Sequence, residues 1–442
     1  MRISVIGAAG YLGSAHAAGM AELGFDVVGL DVNADRIAQL QQGRSPLFEP
    51  GLEDVLARHT ASGRLRFTTD VAEAAAFGQV HFLCVGTPQR DRDGAADLRQ
   101  VQTAWSELLP RLSGSHTVVL KSTVPVGTTQ RLVADLDQLA PAADVNVVFN
   151  GEFLREGHAV QDTLRPDRIV IGLPADPAAA AAAETVMRSV YAGPIESGCP
   201  FLVTDYATAE LVKLAANSFL AMKISFINTL AELCEASGAD VSVLADGIGY
   251  DGRIGRGHLN AGLGFGGGCL PKDLRAFMAR AGEMGVGDAM VLLREVDSIN
   301  GRRRQRAVEI ATGLLEGDLS GRPVAVLGAA FKPHSDDVRD SPALEVASQL
   351  DQHGAGVRVY DPKAMDNAAQ LWPRLSYQPS SQDACAGADL VVVATGWPEF
   401  AALDPAELFG VVRRPVVYDA INLLDPKKWR DAAWTYRGTG RP

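Results

Sequence analysis

The first 31 residues constrain the fold more than any other part of the chain, because an apolar segment, a glycine-rich turn, a helical segment and a second apolar segment follow one another. Residues 2–6 and 26–30 each predict a buried strand, and the second ends at Asp31. The turn between them contains three glycines, Gly7, Gly10 and Gly13. Such a β-α-β unit opens a doubly wound sheet, so the sequence predicts an α/β fold with Rossmann-like parallel strands.

The glycine turn is the expected cofactor site. Glycines remove Cβ atoms where a pyrophosphate meets the N-terminus of a helix. A carboxylate at Asp31 accepts a hydrogen bond from a ribose 2′-hydroxyl and repels a 2′-phosphate, which favours NAD over NADP. We expect the same site to include Tyr11, Leu12 and Arg36. The alternative is a tight strand–helix turn for another ligand, because the spacing Gly-x-x-Gly-x-x-Gly departs from Gly-x-Gly-x-x-Gly.

Composition and charge restrict the kind of protein this is. Hydrophobic residues make up 47% of the chain and charged residues 21%, as in globular proteins. The length of 442 residues is enough for two or three domains. The net charge of −12 argues against nucleic-acid binding. We expect no signal peptide and no apolar segment long enough to span a membrane. The five cysteines lack a Cys-x-x-Cys pair, so we expect a reducing, cytoplasmic compartment with neither disulfides nor a metal site.

The middle of the chain is predicted to be helical. Residues 204–237 contain neither glycine nor proline, which predicts one long helix with Thr204 or Asp205 as the cap at its start and Gly238 after its last turn. Helices of this length often bridge domains or pack against a partner subunit. Residues 319–323 are typical of a linker, and a second α/β pattern follows them. The predicted domains are 1–203, 204–318 and 319–442.

A second glycine run, residues 266–268, brings Cys269 to the start of a predicted helix. That helix is expected from about Lys272 to Ala281. Unpaired N–H groups and the positive dipole end of a helix N-terminus favour the thiolate, as does the ammonium of Lys272. Glycines also let a substrate approach the backbone closely. We interpret Cys269 as a nucleophile in a cramped pocket, and the alternative is a buried structural cysteine in a turn.

Three further positions are candidates for proton transfer or ligand binding. Lys213 and Asn217 are four residues apart on the long helix and so lie on one face. Glu152 follows a strand that ends at Phe149, where open α/β sheets place ligands. Lys332 follows the first strand of the second lobe and could serve an anionic or sugar ligand. Each could instead be an exposed helix or loop residue.

Nine segments of the sequence match, in order, the motifs of one known family. They are residues 10–13, 48–52, 85–88, 121–128, 152–157, 166–168, 266–273, 330–333 and 336–339. Through them the chain resembles the UDP-glucose/GDP-mannose dehydrogenase family over nearly its full length. It departs from the usual residues of that family at Gly151, where members have proline, and at Gly268, where they have serine.

The resemblance implies an enzyme that oxidises the CH₂OH group of a nucleotide sugar to a carboxylate with two NAD. Cys269 would attack the aldehyde, giving a thiohemiacetal and then a thioester. Lys213 and Asp273 would serve proton transfer through water and stabilise an oxyanion. Glu152 would assist thioester hydrolysis, and Asn217 would bind the hexose.

The resemblance also implies binding residues and a partner. Beside Asp31, the NAD site would contain Thr87, Thr123, Glu156 and Arg339. The sugar nucleotide would contact Phe153, Leu154, Lys213, Asn217, Arg253, Gly266, Lys272, Phe331 and Lys332. The long helix would form the core of a homodimer, in which the arginine at the position of Arg253 often reaches the neighbouring subunit's site.

We expect UDP-glucose as the substrate, with TDP-glucose and GDP-mannose as alternatives. Residues 217–220 and 253–255 look more like the UDP-glucose branch of the family, whereas residues 270–276 also suit the GDP-mannose branch. Two other functions stay open: a two-electron hydroxy-acid or alcohol dehydrogenase, which needs no thiol, and a catalytically silent regulator that binds NAD or a nucleotide sugar. A short-chain epimerase is excluded because no tyrosine has a lysine four residues on.

Overall fold

The computed structural model describes residues 1–442, which divide into two compact units. The first unit comprises Met1–Ala216 and Arg275–Met284. The second comprises Asn217–Leu274 and Gly285–Pro442. The division into three domains that the sequence suggests stays a prediction.

The first unit is built on eight strands. They are β1 Arg2–Ile6, β2 Asp26–Leu30, β3 Leu65–Thr68, β4 Val80–Leu83, β5 Gly114–Leu120, β6 Ala143–Phe149, β7 Ile169–Leu173 and β8 Phe201–Asp205. They form one sheet in the order β3-β2-β1-β4-β5-β6-β7-β8, parallel throughout except for the pair β6 and β7. The predicted doubly wound α/β class is confirmed, although the sequence did not predict β3 and β8.

Ten helices cover the two faces of this sheet. They are α1 Tyr11–Glu22, α2 Ala34–Gln41, α3 Leu52–Ala61, α4 Val71–Phe77, α5 Arg99–Leu108, α6 Thr128–Val133, α7 Leu136–Leu139, α8 Ala159–Leu164, α9 Pro177–Val190 and α10 Ala192–Glu196. One apolar cluster contains residues of α1, α2, α3 and α9, and a second contains residues of α4 and α5. The sheet is therefore buried on both faces, which is why its strands read as continuous apolar runs.

The turn after β1 requires glycine at two positions. Gly7 has φ +89°, and a Cβ there would lie 2.9 Å from the backbone carbonyl carbon of Cys84. A Cβ at Gly13 would lie 2.0 Å from the oxygen of Gly7. The first glycine permits the left-handed backbone, and the second lets α1 pack directly on the turn.

Four helices follow in the middle of the chain. They are α11 Tyr206–Ser237, α12 Val241–Gly249, α13 Leu270–Glu283 and α14 Val291–Leu314. Helix α11 begins at Tyr206, directly after the edge strand β8. Asp205 Oδ1 accepts a hydrogen bond from Thr208 N at 2.8 Å, and Gly238 with φ +76° follows the last turn. The long helix is thus confirmed with an Asp cap at its start and glycine at its end.

Helix α11 is long and apolar enough to cross a membrane when length and composition alone are considered. An 18-residue stretch of this helix has a mean hydropathy of 1.2, and 44% of the stretch is buried inside the structure. The expectation that no segment reaches this length is wrong for α11 on these criteria. A single helix of this kind is weak evidence for a membrane span, because core helices of soluble proteins pass the same test.

The second unit contains a smaller sheet of six strands. They are β9 Pro323–Leu327, β10 Gly356–Tyr360, β11 Ser376–Tyr377, β12 Leu390–Val393, β13 Val416–Asp419 and β14 Thr435–Gly438. Six helices accompany them: α15 Pro342–Gln352, α16 Met365–Leu371, α17 Ser381–Cys385, α18 Pro398–Ala401, α19 Pro405–Phe409 and α20 Pro426–Asp431. The strand order β11-β10-β9-β12-β13-β14 repeats that of the first six strands of the larger sheet. The two lobes therefore share one doubly wound topology.

Candidate active site

The glycine turn is held in place by Asp31 and Arg36. Asp31 Oδ2 accepts a hydrogen bond from Ala9 N at 3.0 Å, and Oδ1 accepts one from Asn33 N at 3.0 Å. Arg36 Nη1 donates to the oxygen of Ala9 at 3.3 Å. Asp31 is only half-buried, so its carboxylate is open to a ribose hydroxyl as well as to the turn.

Tyr11 joins the turn to a buried carboxylate that the sequence did not single out. Glu49 is 5% exposed and accepts hydrogen bonds from Tyr11 Oη, from Gly157 N at 2.7 Å and from Ala159 N at 2.7 Å. Burial, together with the hydrogen bond to Glu49, raises the pKa of Tyr11 well above its usual value. Glu49 therefore links the first turn of α1 to the start of α8, beside the predicted cofactor residue Glu156.

Two predicted cofactor residues meet at neighbouring strand ends. Thr87 follows β4 and Thr123 follows β5, and Thr87 Oγ1 donates to the oxygen of Thr123 at 2.9 Å. Strand β4 lies beside β1, where the order of the sheet reverses direction. Ligands of doubly wound sheets bind at this reversal, outside the carboxyl ends of the strands.

Glu152 and Lys213 form an ion pair in the first unit. Lys213 Nζ donates to Glu152 Oε1 at 2.9 Å, and the two side chains are 3% and 11% exposed. Glu152 Oε2 accepts a hydrogen bond from Leu154 N at 2.8 Å, which fixes the carboxylate. The ring of Phe153 lies 5.4 Å from Lys213 Nζ and 3.8 Å from the guanidinium carbon of Arg168. In a place with so little solvent, both charges act strongly on a charge that develops beside them.

A buried polar network lies behind this pair. Lys121 Nζ and Tyr191 Oη both donate to Asn150 Oδ1, at 3.0 Å and 2.6 Å, and Asn150 Nδ2 donates to the oxygen of Val170 at 2.9 Å. Burial lowers the pKa of Lys121 to about 8. Asn150 is two residues before Glu152, so the network anchors the strand end that carries the carboxylate.

Cys269 immediately precedes α13 in the second unit and is partly exposed. The helix begins at Leu270 rather than at Lys272, and Asp273 N donates to the oxygen of Cys269 at 2.9 Å. The thiol thus lies at the N-terminal end of the helix, as the sequence predicts.

Asp273 is 2% exposed and has a partner on each oxygen. Asn217 Nδ2 donates to Oδ2 at 2.7 Å, and Lys272 Nζ donates to Oδ1 at 2.6 Å. The structure therefore brings Asn217, Lys272 and Asp273 together, one turn from the thiol. A carboxylate held by two donors is a fixed acceptor rather than a mobile one.

The glycines before Cys269 leave room for other groups of the protein. A Cβ at Gly266 would lie 2.3 Å from the oxygen of Asp340, and one at Gly267 would lie 2.7 Å from the ring of Phe331. A Cβ at Gly268 would lie 2.3 Å from the guanidinium carbon of Arg339. Groups of the protein itself therefore lie where these side chains would be, and the approach of a substrate to this backbone stays a prediction.

Lys332 lines a cavity of the second unit, whereas Arg253 lies on its surface. The cavity has a volume of about 560 Å³ and is also lined by Phe331, Arg256 and Arg441, of which the last two were not predicted. The side chain of Arg253 is 89% exposed and binds Asp251 of its own turn.

Three sequence profiles of one family match most of the chain. The profile of the NAD binding domain matches residues 1–193, that of the central domain matches residues 207–302, and that of the UDP binding domain matches residues 325–426. The chain belongs to the UDP-glucose/GDP-mannose dehydrogenase family.

Individual members of the family match over their whole length. The UDP-glucose 6-dehydrogenase of Rhizobium meliloti is 43% identical over 443 residues, with 100% of both chains covered. That of Pseudomonas aeruginosa is 40% identical over 453 residues, with 100% of this chain and 98% of the relative covered. The structure of a UDP-glucose dehydrogenase from Pyrobaculum islandicum is 41% identical, covers 100% of this chain and 98% of its own, and has a TM-score of 0.90. The predicted family, fold class, NAD cofactor and nucleotide-sugar class of substrate are confirmed.

The first unit of the chain is suited to bind NAD, the cofactor of the family. Helix α1 has no side-chain cap, since its N-cap position is Gly10. Its first N–H groups can therefore serve a pyrophosphate, while Asp31 beside them can serve a ribose. The residue-by-residue assignments of the NAD and sugar sites stay predictions.

Proposed function

We propose that this chain oxidises the C6 alcohol of UDP-glucose to the carboxylate of UDP-glucuronate through a thioester on Cys269. The relatives named UDP-glucose 6-dehydrogenase, 43% and 40% identical over the full chain, support this substrate. The observation that carries the chemistry is Cys269 directly before α13, with the doubly held carboxylate of Asp273 one turn on. Bound NAD would supply the hydride acceptor for both oxidation steps.

The Glu152–Lys213 pair fits the proton transfers of the first oxidation. An alcohol loses its proton as the hydride leaves, so a base has to receive it, directly or through one water. The ammonium of Lys213 can stabilise the developing alkoxide, and Glu152, at 2.9 Å from that ammonium, can take up the proton. Both groups are nearly buried, which strengthens their effect on a developing charge.

Cys269 fits the second oxidation, because a covalent adduct keeps the reactive aldehyde from diffusing away. Its thiolate forms an S–C bond to the aldehyde carbon, and the carbonyl oxygen becomes the hydroxyl of a thiohemiacetal. Loss of a hydride and a proton then gives the thioester. Water attacks this carbon, the S–C bond breaks, and carboxylate and thiol are released. Glu152 would accept the proton of that water, while Asn217 would orient Asp273 and the hexose.

The number of NADH formed per sugar tests the proposal. We expect two NADH for each UDP-glucose, with the acid as product, and slower turnover of TDP-glucose and GDP-mannose. One NADH per sugar, with an aldehyde or ketone as product, would favour the two-electron dehydrogenase. Binding of NAD without NADH from any of these sugars would favour the silent regulator.

We also propose a homodimer that forms through α11. Phe219, Phe226 and Leu233 are seven residues apart on this helix and therefore lie in one row, and they are 57%, 52% and 62% exposed. A second copy of the helix would cover this row, and the exposed Arg253 is suited to reach the neighbouring subunit. Large exposed apolar side chains in a row mark interaction surfaces.

Light scattering after size exclusion tests the dimer. Wild type should elute at twice the mass of the chain, and Phe226→Asp should elute as a monomer. The matched control is Leu371→Asp, since Leu371 is 61% exposed on α16, outside the row. A wild-type monomer, or equal effects of both substitutions, would contradict the proposal.

We assign the protein to the cytoplasm. All five cysteines are free, as is usual in a reducing compartment. A free catalytic thiol and NAD both suit that compartment.

A further inference from the structure

One face of α14 holds the segment that leads to Cys269. Asn300, Arg303 and Arg304 lie within about one turn of this helix, and they are 2%, 1% and 5% exposed. Buried polar side chains are costly unless each is hydrogen-bonded, so their partners indicate what they are for. All three donate to the backbone between residues 262 and 265.

Asn300 pairs with both backbone groups of Phe265. Its Oδ1 accepts from Phe265 N at 2.7 Å, and its Nδ2 donates to the oxygen of Phe265 at 2.9 Å. The preceding residue has to be glycine for this to occur. Gly264 has φ +98°, and a Cβ there would lie 2.2 Å from Asn300 Oδ1.

Arg304 holds the same residue as well. Its Nη2 donates to the oxygen of Phe265 at 3.2 Å, so this oxygen has two donors from α14. Its Nη1 donates to Asp340 Oδ1 at 2.9 Å and to Glu345, which fixes the guanidinium. The oxygen of Asp340 in turn lies against Gly266, as described above. Phe265 therefore has three hydrogen bonds to side chains of α14, four residues before the thiol.

We propose that Asn300 and Arg304 are positioning residues for Cys269. The three residues between Phe265 and Cys269 are glycines, which have more backbone freedom than any other residue. The hydrogen bond from Gly267 N to the oxygen of Arg339 at 2.9 Å holds the middle of this segment, and a fixed Phe265 sets its start, so that the sulfur stays at the N-terminus of α13. The inference rests on the thiol chemistry proposed above and adds residues that touch neither substrate nor cofactor.

The substitution Asn300→Asp tests this at constant size. It replaces the donor to the Phe265 oxygen by an acceptor, so the clamp becomes repulsive while the fit is kept. Since a displacement of about 1 Å can cost roughly a hundredfold in rate, we expect a loss of about tenfold or more in kcat. The KM for NAD should change less than about twofold, because a pure loss of positioning at the thiol leaves cofactor binding intact.

The reactivity of the thiol is the second readout, and it does not depend on turnover. Iodoacetamide labelling of Cys269 is followed across pH, with peptide mass spectrometry to separate it from the other four cysteines. We expect slower labelling and a profile shifted to higher pH in Asn300→Asp, because the sulfur leaves the helix N-terminus. A merely structural role would lower the melting temperature and leave this profile unchanged.

Arg304→Gln provides an independent variant with a matched control. Arg302→Gln changes the same residue type on the same helix, but Arg302 is exposed and its Nη1 donates to Ser298 Oγ at 3.2 Å. Arg304→Gln should slow labelling and kcat, Arg304→Lys should recover part of the loss, and Arg302→Gln should behave as wild type. If Asn300→Asp does not fold, the variants of Arg304 and Arg302 test the positioning role instead.

The inference is overturned if Asn300→Asp and Arg304→Gln both keep the wild-type labelling profile. It is also overturned if Arg302→Gln slows labelling as much as Arg304→Gln. Failure of the proposed function is distinguishable from either result. In that case Cys269→Ser retains turnover, while labelling of Cys269 still responds to Asn300→Asp.

Discussion

Asp361 occupies in the second sheet the position that Asp31 occupies in the first. Each directly follows the second strand of its sheet, and each binds the turn that follows the first strand. Ala9 N donates to Asp31 Oδ2 at 3.0 Å, and Ala329 N donates to Asp361 Oδ2 at 2.8 Å. The repetition of strand order in the two lobes therefore extends to one side chain.

The two carboxylates differ in how much of their hydrogen-bond acceptor capacity the protein itself uses. Asp361 is 1% exposed and accepts from the backbone of Ala330, Lys363 and Ala364 and from Trp397 Nε1, as well as from Ala329. Five donors fill the acceptor capacity of a carboxylate. Asp31 is half-buried and accepts from two backbone N–H groups. Asp31 can thus bind a ribose in addition to its turn, whereas the acceptor sites of Asp361 are taken by donors of the protein itself.

The first prediction compares Asp31→Asn with Asp361→Asn. Asp31→Asn should raise the KM for NAD and reduce the preference over NADP by about tenfold or more, since the charge that repels a 2′-phosphate is gone. Asp361→Asn should destabilise the fold by about 1–3 kcal/mol, because an amide N–H₂ would face N–H donors. Steady-state kinetics with both cofactors and thermal unfolding separate the two effects. Equal kcat/KM of wild type for NAD and NADP would show that Asp31 does not contact the ribose.

The sequence predicts the elements of the fold best where a local apolar pattern coincides with burial. Strands β1 and β2 and the long helix α11 are apolar runs bounded by glycine or a capping carboxylate, so the sequence places them within two residues. The missed strands are β3, β8, β11 and β14, each of which lies at an edge of its sheet. Strands β3, β11 and β14 have at most four residues and carry polar side chains, so they resemble loops in a single sequence.

The sequence points to the reactive residues of the candidate site but not to the residues that hold them in place. Cys269, Lys213 and Glu152 stand out through residue type and neighbours, although their roles remain predictions. Glu49 and Asn300 do not, because their partners lie far along the chain: Glu49 and Ala159 are 110 residues apart. No spacing rule in one sequence connects such residues. For the same reason, the sequence does not reveal that Asp340, Phe331 and Arg339 pack on the glycines before Cys269.

The second prediction concerns Cys269→Ser. Serine keeps the size but is a far weaker nucleophile near neutral pH, and an ester hydrolyses less readily than a thioester. We expect a loss of about a hundredfold or more in kcat, with the fold and NAD binding intact. Intact mass should show one added sugar-nucleotide acyl group on part of the protein. Glu152→Gln should slow the same step by weakening delivery of water. Near-wild-type turnover of Cys269→Ser would instead support the two-electron dehydrogenase.

The third prediction concerns pH and the buried Lys121. Its pKa is lowered to about 8 by burial, from 10.5. The unfolded chain therefore binds this proton more tightly, and the lysine destabilises the fold below pH 8, where both states carry the charge. Between pH 8 and 10.5 the penalty is relieved, so stability should rise with pH by an amount on the order of 1–3 kcal/mol.

Lys121→Met tests directly whether this lysine makes the stability of the fold rise with pH. It removes the charge and keeps most of the side-chain volume, while Tyr191 Oη still donates to Asn150 Oδ1 at 2.6 Å. Urea unfolding at several pH values should show a flatter profile between pH 8 and 10.5 than in wild type. Lys223→Met is the control, since Lys223 is only half-buried on α11. A Lys121→Met profile as steep as that of wild type would mean that the lysine does not titrate in this range.

The fourth prediction restores the serine that the family usually has, by Gly268→Ser. The new Cβ would lie 2.3 Å from Arg339 Cζ, so the guanidinium has to move. It can do so at little cost, because the side chain of Arg339 is 58% exposed. We expect a change in stability below about 0.5 kcal/mol. If Arg339 lines the NAD site as the sequence predicts, its displacement should alter the KM for NAD.

A double-mutant cycle decides whether Arg339 carries this effect. The change in the KM for NAD on Gly268→Ser should disappear in an Arg339→Ala background, because residues in contact couple whereas distant ones add. Gly252→Ser is the control, since a Cβ at Gly252 meets no atom within 4 Å. The same change in both backgrounds would assign it to the serine hydroxyl beside Cys269. An unchanged KM for NAD in every variant would remove Arg339 from the predicted NAD site, because its guanidinium could then be displaced without any effect on the cofactor.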